Sequence, residues 1–177
     1  MKNRSILPTA LLLATALALP AGAAQGTVTN KDHKFVMEAA TGGLEEVRLG
    51  QLATERAASA DVRSFGQQMV TDHGQANQKL TQLATGKGLT PPTELTGDKK
   101  KDYDRLSQLS GAAFDRAYMQ AMLTDHRKDV NEFRVEAKSG KDGDVKGWAA
   151  KTLPTLEEHL KLAQDANRAV GTSGKKP

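Results

Sequence analysis

Between Asp61 and Gly86 the apolar residues Val62, Phe65, Met69, Ala76, Leu80 and Leu83 recur at helical steps, which puts them on one face of an α-helix. A second stripe, Met119, Leu123, Val130, Phe133 and Ala137, follows the same period over about Ala112 to Lys138. Nothing in the chain after its first residues alternates as a barrel strand does, so the fold class is all-α. Two further helices complete the set. The first is expected from an Asp32 N-cap to about Ser59, ahead of a second helix capped by Asp61 and ending near Gly86 and Gly88. The last is expected from Asp144 to about Val170, after the turn Ser139-Gly140-Lys141-Asp142-Gly143, with Pro154 bending it near residues 150 to 153.

The links between these helices are unequal. Those joining helices one to two and three to four are a few residues long, which makes each pair an antiparallel hairpin. The stretch from Lys87 to Gly111 is long enough to cross the molecule. It carries the Pro91-Pro92 breaker, the basic run Lys99-Lys100-Lys101, and room for a short helix around Tyr103 to Leu109. Two hairpins joined by one long crossover is the layout of a ferritin-like four-helix bundle, with helices two and three parallel. A plain bundle with a loose loop is the alternative.

The N-terminus is read separately. Lys2 and Arg4 precede an apolar run from Ile6 to Leu19, and Pro20-Ala21-Gly22-Ala23 supplies the small residues of a cleavage site, so residues 1–23 are expected to be a cleaved signal peptide. A membrane anchor would need roughly 20 apolar residues, and this run is shorter. Residues 24–31 form a polar lead-in, 32–170 the bundle, and 171–177 a tail with nothing to bury. The absence of cysteine excludes disulfides and thiolate metal sites, so an apolar core must carry the fold. The formal charge of +4 comes from Lys2, Arg4, Lys175 and Lys176, at the two ends, and aromatic residues are few. Neither the electrostatic nor the stacking contribution to nucleic-acid binding is present. A periplasmic protein is expected, with no membrane span in the mature chain and at most peripheral attachment to the outer membrane.

Chemistry-bearing residues point inward. Met69-Val70-Thr71-Asp72-His73 is echoed by Met122-Leu123-Thr124-Asp125-His126, and each histidine falls within its helix's apolar stripe. His159 does the same between Leu156 and Ala163. Helix one offers a small-residue face, Ala39, Gly43, Gly50, Ala53 and Ala57, interrupted by Glu46, and a carboxylate there needs a partner. At about 1.5 Å rise per residue Glu46 and His73 reach the same height. His33 lies at a helix start and is solvated. Glu46, His73, His126 and His159 are therefore the candidate ligands for one transition metal, with Met69, Asp72, Tyr118, Met122 and Asp125 nearby. Imidazole and carboxylate suit zinc or iron, and methionine sulfur would add a preference for copper. The competing reading is a hydrogen-bonded polar core, with the methionines and Tyr118 as packing.

The segments Glu46-Val47-Arg48-Leu49-Gly50, Thr71-Asp72-His73, Gly111-Ala112-Ala113-Phe114-Asp115-Arg116-Ala117-Tyr118 and Thr152-Leu153-Pro154-Thr155-Leu156 with His159 carry a resemblance. Over about Phe35 to Ala166 the chain resembles the domain-of-unknown-function 4142 family, which belongs with the ferritin-like proteins. The resemblance implies a four-helix bundle and export, often with an outer-membrane description, and no established activity. It departs from the di-iron pattern, because Glu-x-x-His would need Glu where Val70 and Leu156 stand, so a ferritin-type di-iron site is not expected.

Three functions follow as expectations. The first is a periplasmic helical-bundle binding protein with an envelope or stress role and one metal in its core. The second is a metal-dependent redox enzyme, and the third a structural bundle that binds an envelope protein partner without metal. No nucleophile-base arrangement or phosphate-cradling glycine loop is visible.

Overall fold

The structure is a computed structural model, and it describes residues 28–173. The expected signal segment, most of the lead-in and residues 174–177 lie outside that range. Among the described residues there are five helices and no strand: α1 (Asn30–Arg56), α2 (Ala60–Gly86), α3 (Gly97–Ser107), α4 (Gly111–Ser139) and α5 (Gly143–Ser173).

Helix ends follow local chemistry, with small shifts from expectation. The N-cap of α1 is Thr29 and Asp32 completes a capping box with it, so the helix starts before Asp32. Ser59, two residues ahead of Asp61, is the N-cap of α2. At the other end of α2, Gly88 takes a φ of 73° while the Leu89 N–H donates to the Ala84 carbonyl at 2.9 Å, a Schellman closure that only glycine adopts without strain. The crossover helix α3 begins at Gly97, upstream of the expected Tyr103. The last helix runs three residues past Val170 and stays helical through Pro154, whose missing N–H removes one intrahelical bond to Ala150.

The four long helices pair as α1 with α2 and α4 with α5, and α1 also packs on α4 and α2 on α5. Polar contacts at the ends fix the directions. Lys31 Nζ donates to Ser139 Oγ at 3.2 Å and the Lys141 N–H to Asp32 at 3.0 Å, so the start of α1 meets the end of α4. Lys87 Nζ, just past α2, pairs with both Asp142 and Asp144 at 2.8 Å at the start of α5. At the opposite end, the carboxylate of Asp115, one turn into α4, accepts the N–H groups of Ala58 and Ser59 at 3.1 and 2.9 Å. Helices α2 and α4 therefore run in the same direction, with α3 in the crossover.

Close approach of α1 and α2 depends on glycine. A Cβ on Gly50 would stand 2.7 Å from the Gly66 carbonyl oxygen, and one on Gly66 would stand 2.6 Å from Ala53 Cβ. The apolar interior falls into two compartments. One joins Leu49, Phe65, Met69, Phe114, Tyr118 and Met122, and the other joins Phe35, Val36, Leu80, Val130, Phe133 and Leu156. Along each long helix, Glu46, His73, His126 and His159 fall between the two sets, forming a polar layer at mid-height.

Candidate metal centre

Each helix contributes one side chain to that layer because of where its stripe passes the centre. Glu46 is 2 % exposed, His73 5 %, and His126 and His159 are fully buried. The ring centroids of the three histidines are 5.2 to 5.5 Å apart. One ring nitrogen from each lies within 4.8 Å of the others.

Hydrogen bonding decides which nitrogen of each ring is free. His73 Nδ1 lies 2.8 Å from Glu46 Oε2, and an imidazole N–H facing a carboxylate donates to it, which leaves the Nε2 lone pair turned inward. His126 Nδ1 lies 2.9 Å from the Met122 carbonyl oxygen, which can only accept, so His126 also carries its proton on Nδ1. Its Nε2 is buried without a partner. His159 Nε2 is 2.9 Å from Asp72 Oδ2, and its Nδ1 faces His73 Nε2 at 3.3 Å. Two lone pairs at that separation repel unless a proton or a metal ion stands between them.

The electrostatics keep the rings neutral. Burial lowers the His73 pKa to about 4, against a smaller opposing pull from Asp72. Burial also lowers His126 and His159, opposed by Glu46 and Asp72 respectively. Glu46 is pushed up to about 7, by burial first, with the neighbouring His126 pulling the other way. A neutral imidazole is the form that ligates a metal.

The other residues singled out by sequence take several roles. Asp72 orients His159, a ring on another helix rather than its own neighbour. Asp125 pairs with Lys99 at 3.3 Å, away from the histidine nitrogens. Met69 and the Met122 side chain are fully buried in the apolar compartment, and it is the Met122 carbonyl that serves the site. Tyr118 is packed between Phe65 and Phe114, with its hydroxyl buried and without a partner. Burial and the nearby Glu46 charge raise its pKa.

Two residues outside the sequence reading, Glu45 and Asp129, border the site, together with Lys99 of the basic run. Glu45 is 1 % exposed and pairs with Lys99 of α3. Asp129, half-buried, has its pKa raised by burial and by Glu46, and with Glu46, His73, Asn77 and Trp148 it lines a cavity of about 20 Å³. Asp129 was legible in principle, being three residues after His126 on the same helical face. Glu45 and Lys99 were not, since one is turned away from Glu46 and the other lies in the crossover.

A model of the DUF4142 family, a domain of unknown function, matches residues 17–166. The chain belongs to this family. No curated protein matches it. Among solved structures it is similar to a DUF305 fragment from Deinococcus radiodurans, at 14 % identity and a TM-score of 0.68, covering 82 % of this chain and 98 % of that one. It is also similar to a DUF305 protein from Streptomyces coelicolor described as a candidate secreted protein, at 16 % identity and TM-score 0.67, covering 80 % and 94 %. A conserved hypothetical protein from Mycobacterium tuberculosis aligns at 16 % identity and TM-score 0.59, covering 83 % and 93 %. At these identities the likeness is one of fold. This DUF4142 chain has, among its described residues, no helix long and apolar enough to cross a membrane.

Proposed function

We propose that this DUF4142 protein is an exported, ferritin-like four-helix bundle that holds one divalent transition-metal ion through His73 Nε2, His126 Nε2 and His159 Nδ1. The hairpin pairing and the parallel α2 and α4 support the bundle reading. The N-terminal pattern supports export to the periplasm, with peripheral outer-membrane association open to it.

The observation that carries the metal reading is that one ring nitrogen from each histidine lies within 4.8 Å of the others, while His126 Nε2 is buried with no hydrogen-bond partner. In each ring the other nitrogen is held by an acceptor: Glu46, the Met122 carbonyl, or Asp72. Metal-binding histidines are oriented in this way, by carboxylates and carbonyls behind the ring. Charge also fits. Glu46 and Asp72 together carry two negative charges when ionised, which a divalent ion balances. Three imidazoles without a thiolate suit zinc, iron or copper. Glu46 stands behind His73 and His126 rather than in the row of free nitrogens. A bound ion would supply Lewis acidity at a buried position, while the residues fix its ligands and exclude bulk water.

The competing reading, a metal-free polar core, is favoured by the pairing already present between His73 and Glu46 and between His159 and Asp72. The two are separated by purifying the protein without chelator, incubating it with iron, zinc or copper, and counting bound ions by elemental mass spectrometry. One ion per chain, lost from a folded His126→Ala variant, supports the metal reading. No ion with any of the three metals leaves the polar core.

A further inference from the structure

Two buried polar atoms that lack a hydrogen-bond partner among the described residues belong to side chains lining the same small cavity. One is Trp148 Nε1, which can only donate, and the other is Glu46 Oε1. Glu46 Oε2 is taken by His73 Nδ1 at 2.8 Å, and His126 Nδ1, 3.4 Å from Oε1, is turned to the Met122 carbonyl. The indole is held in place by Phe133 and Phe35, at centroid distances of 5.3 and 6.2 Å. Asn77 of α2 and Asp129 of α4 complete the polar wall between Glu46 on α1 and Trp148 on α5. Gly43 lets the Asn77 amide lie against α1 there, since a Cβ at position 43 would collide with Asn77 Oδ1.

The cavity measures about 20 Å³. A water molecule needs roughly 10–15 Å³ and two to four polar partners, so both conditions for one water are met. Water also suits the chemistry. It accepts from the indole N–H, and it can donate to a carboxylate or accept from a carboxyl, so it serves Glu46 in either protonation state. One shared water removes the desolvation penalty that each of the two atoms carries when its hydrogen bond is unmade.

We propose that the cavity is a hydration site in which one water molecule joins the Trp148 indole N–H to the Glu46 and Asp129 carboxyls, and that Trp148 thereby positions Glu46 behind His73. The water links the aromatic cluster of Phe35, Phe133 and Trp148 to the polar layer. Trp148 is a positioning residue: it fixes the carboxylate that orients a histidine ring. Asp129, which takes no part in holding the three rings, acquires a role as the second carboxyl on the water. The assignment concerns the metal-free protein and does not rest on the metal reading.

Trp148 is the only tryptophan in the chain, which makes the test direct. In the metal-free, nitrogen-15-labelled full chain, nuclear Overhauser transfer from water to the one indole N–H is measured. The expected result is transfer with the sign that marks a long-lived bound water, retained in Thr152→Val, which removes the hydroxyl that also lines the cavity. Trp148→Phe removes the donor and keeps an aromatic ring. There the His73 Nδ1 proton should move upfield as Glu46 loses its anchor, while the His126 Nδ1 proton, held by the Met122 carbonyl, stays in place. No transfer in the parent, or its loss in Thr152→Val, would overturn the hydration site. An unmoved His73 proton in folded Trp148→Phe would overturn the positioning role, and so would a variant that fails to fold, by making the indole a structural requirement. Transfer in a parent that binds no zinc, iron or copper would sink the metal reading and leave this one standing.

Discussion

His73 Nε2 and His159 Nδ1 face each other at 3.3 Å across the centre of the molecule, and the opposite nitrogen of each ring already faces a carboxylate. That arrangement frustrates two neutral rings, and the proposed metal ion would relieve it. Removing a ring should therefore act differently with and without metal. For the metal-free protein, His126→Leu should change stability little or raise it, because an apolar side chain replaces a buried nitrogen that lacks a partner. With metal at 100 times its dissociation constant, the parent should gain about 2.7 kcal/mol and the variant nothing. Thermal melts with and without added ion read both.

The carboxylates behind the rings should tune affinity without holding the fold. Glu46→Gln and Asp72→Asn each keep a hydrogen-bonding group beside their imidazole but lose the charge that balances the ion. Each should weaken metal binding by roughly 10- to 100-fold. Competition against a chelator of known affinity measures it. An unchanged affinity in both would argue that the rings are oriented by packing alone.

At the far end of the molecule Asp115 holds the N–H groups of Ala58 and Ser59, and at the near end Asp32 holds those of Lys141 and Asp142. Each carboxylate starts one hairpin and ties the turn of the other. Asp115→Ala should leave two amides without their acceptor and cost about 1–3 kcal/mol. Urea unfolding midpoints report it, and metal stoichiometry should be unaffected.

The near end also gives a pH signature. Burial, then the adjacent Asp32 carboxylate, push Glu136 up from 4.5 to about 7. Burial alone would raise Asp32 as well, but donors including the Lys141 N–H and the Thr29 hydroxyl and N–H hold it at about 2. A carboxyl raised on folding contributes stability below pH 4.5 that is lost as pH climbs to about 7. Asp32 has the opposite sense, contributing above 3.8 and failing as pH falls to about 2. Glu136→Gln cannot ionise, so its stability relative to the parent should rise between pH 4.5 and 7 and level off outside that window. A difference that is flat across the window would contradict the shift.

The helices were legible because each stripe keeps one period for more than twenty residues, and the inward histidines were legible because they sit on those stripes. The ends were less so. Thr29 and Ser59 cap α1 and α2 where Asp32 and Asp61 were expected, since Asp32 serves the far hairpin and its own capping box at once. The echo between residues 69–73 and 122–126 lies on α2 and α4. The matching roles of Asp32 and Asp115 pair α1 with α4, whereas the echo pairs α2 with α4. What the sequence could not convey was the partner of each polar group, because Asp72, Asp125 and Glu45 find theirs on other helices.

In the proposed site three histidine nitrogens, and not the carboxylates, hold the ion. X-ray absorption at the edge of whichever metal loads stoichiometrically reads the ligands directly. Three imidazole nitrogens at about 2.0–2.1 Å, falling to two in a folded His159→Ala variant, is the result expected for zinc. A shell of oxygens alone, or a spectrum unaltered by the loss of His159, would contradict it.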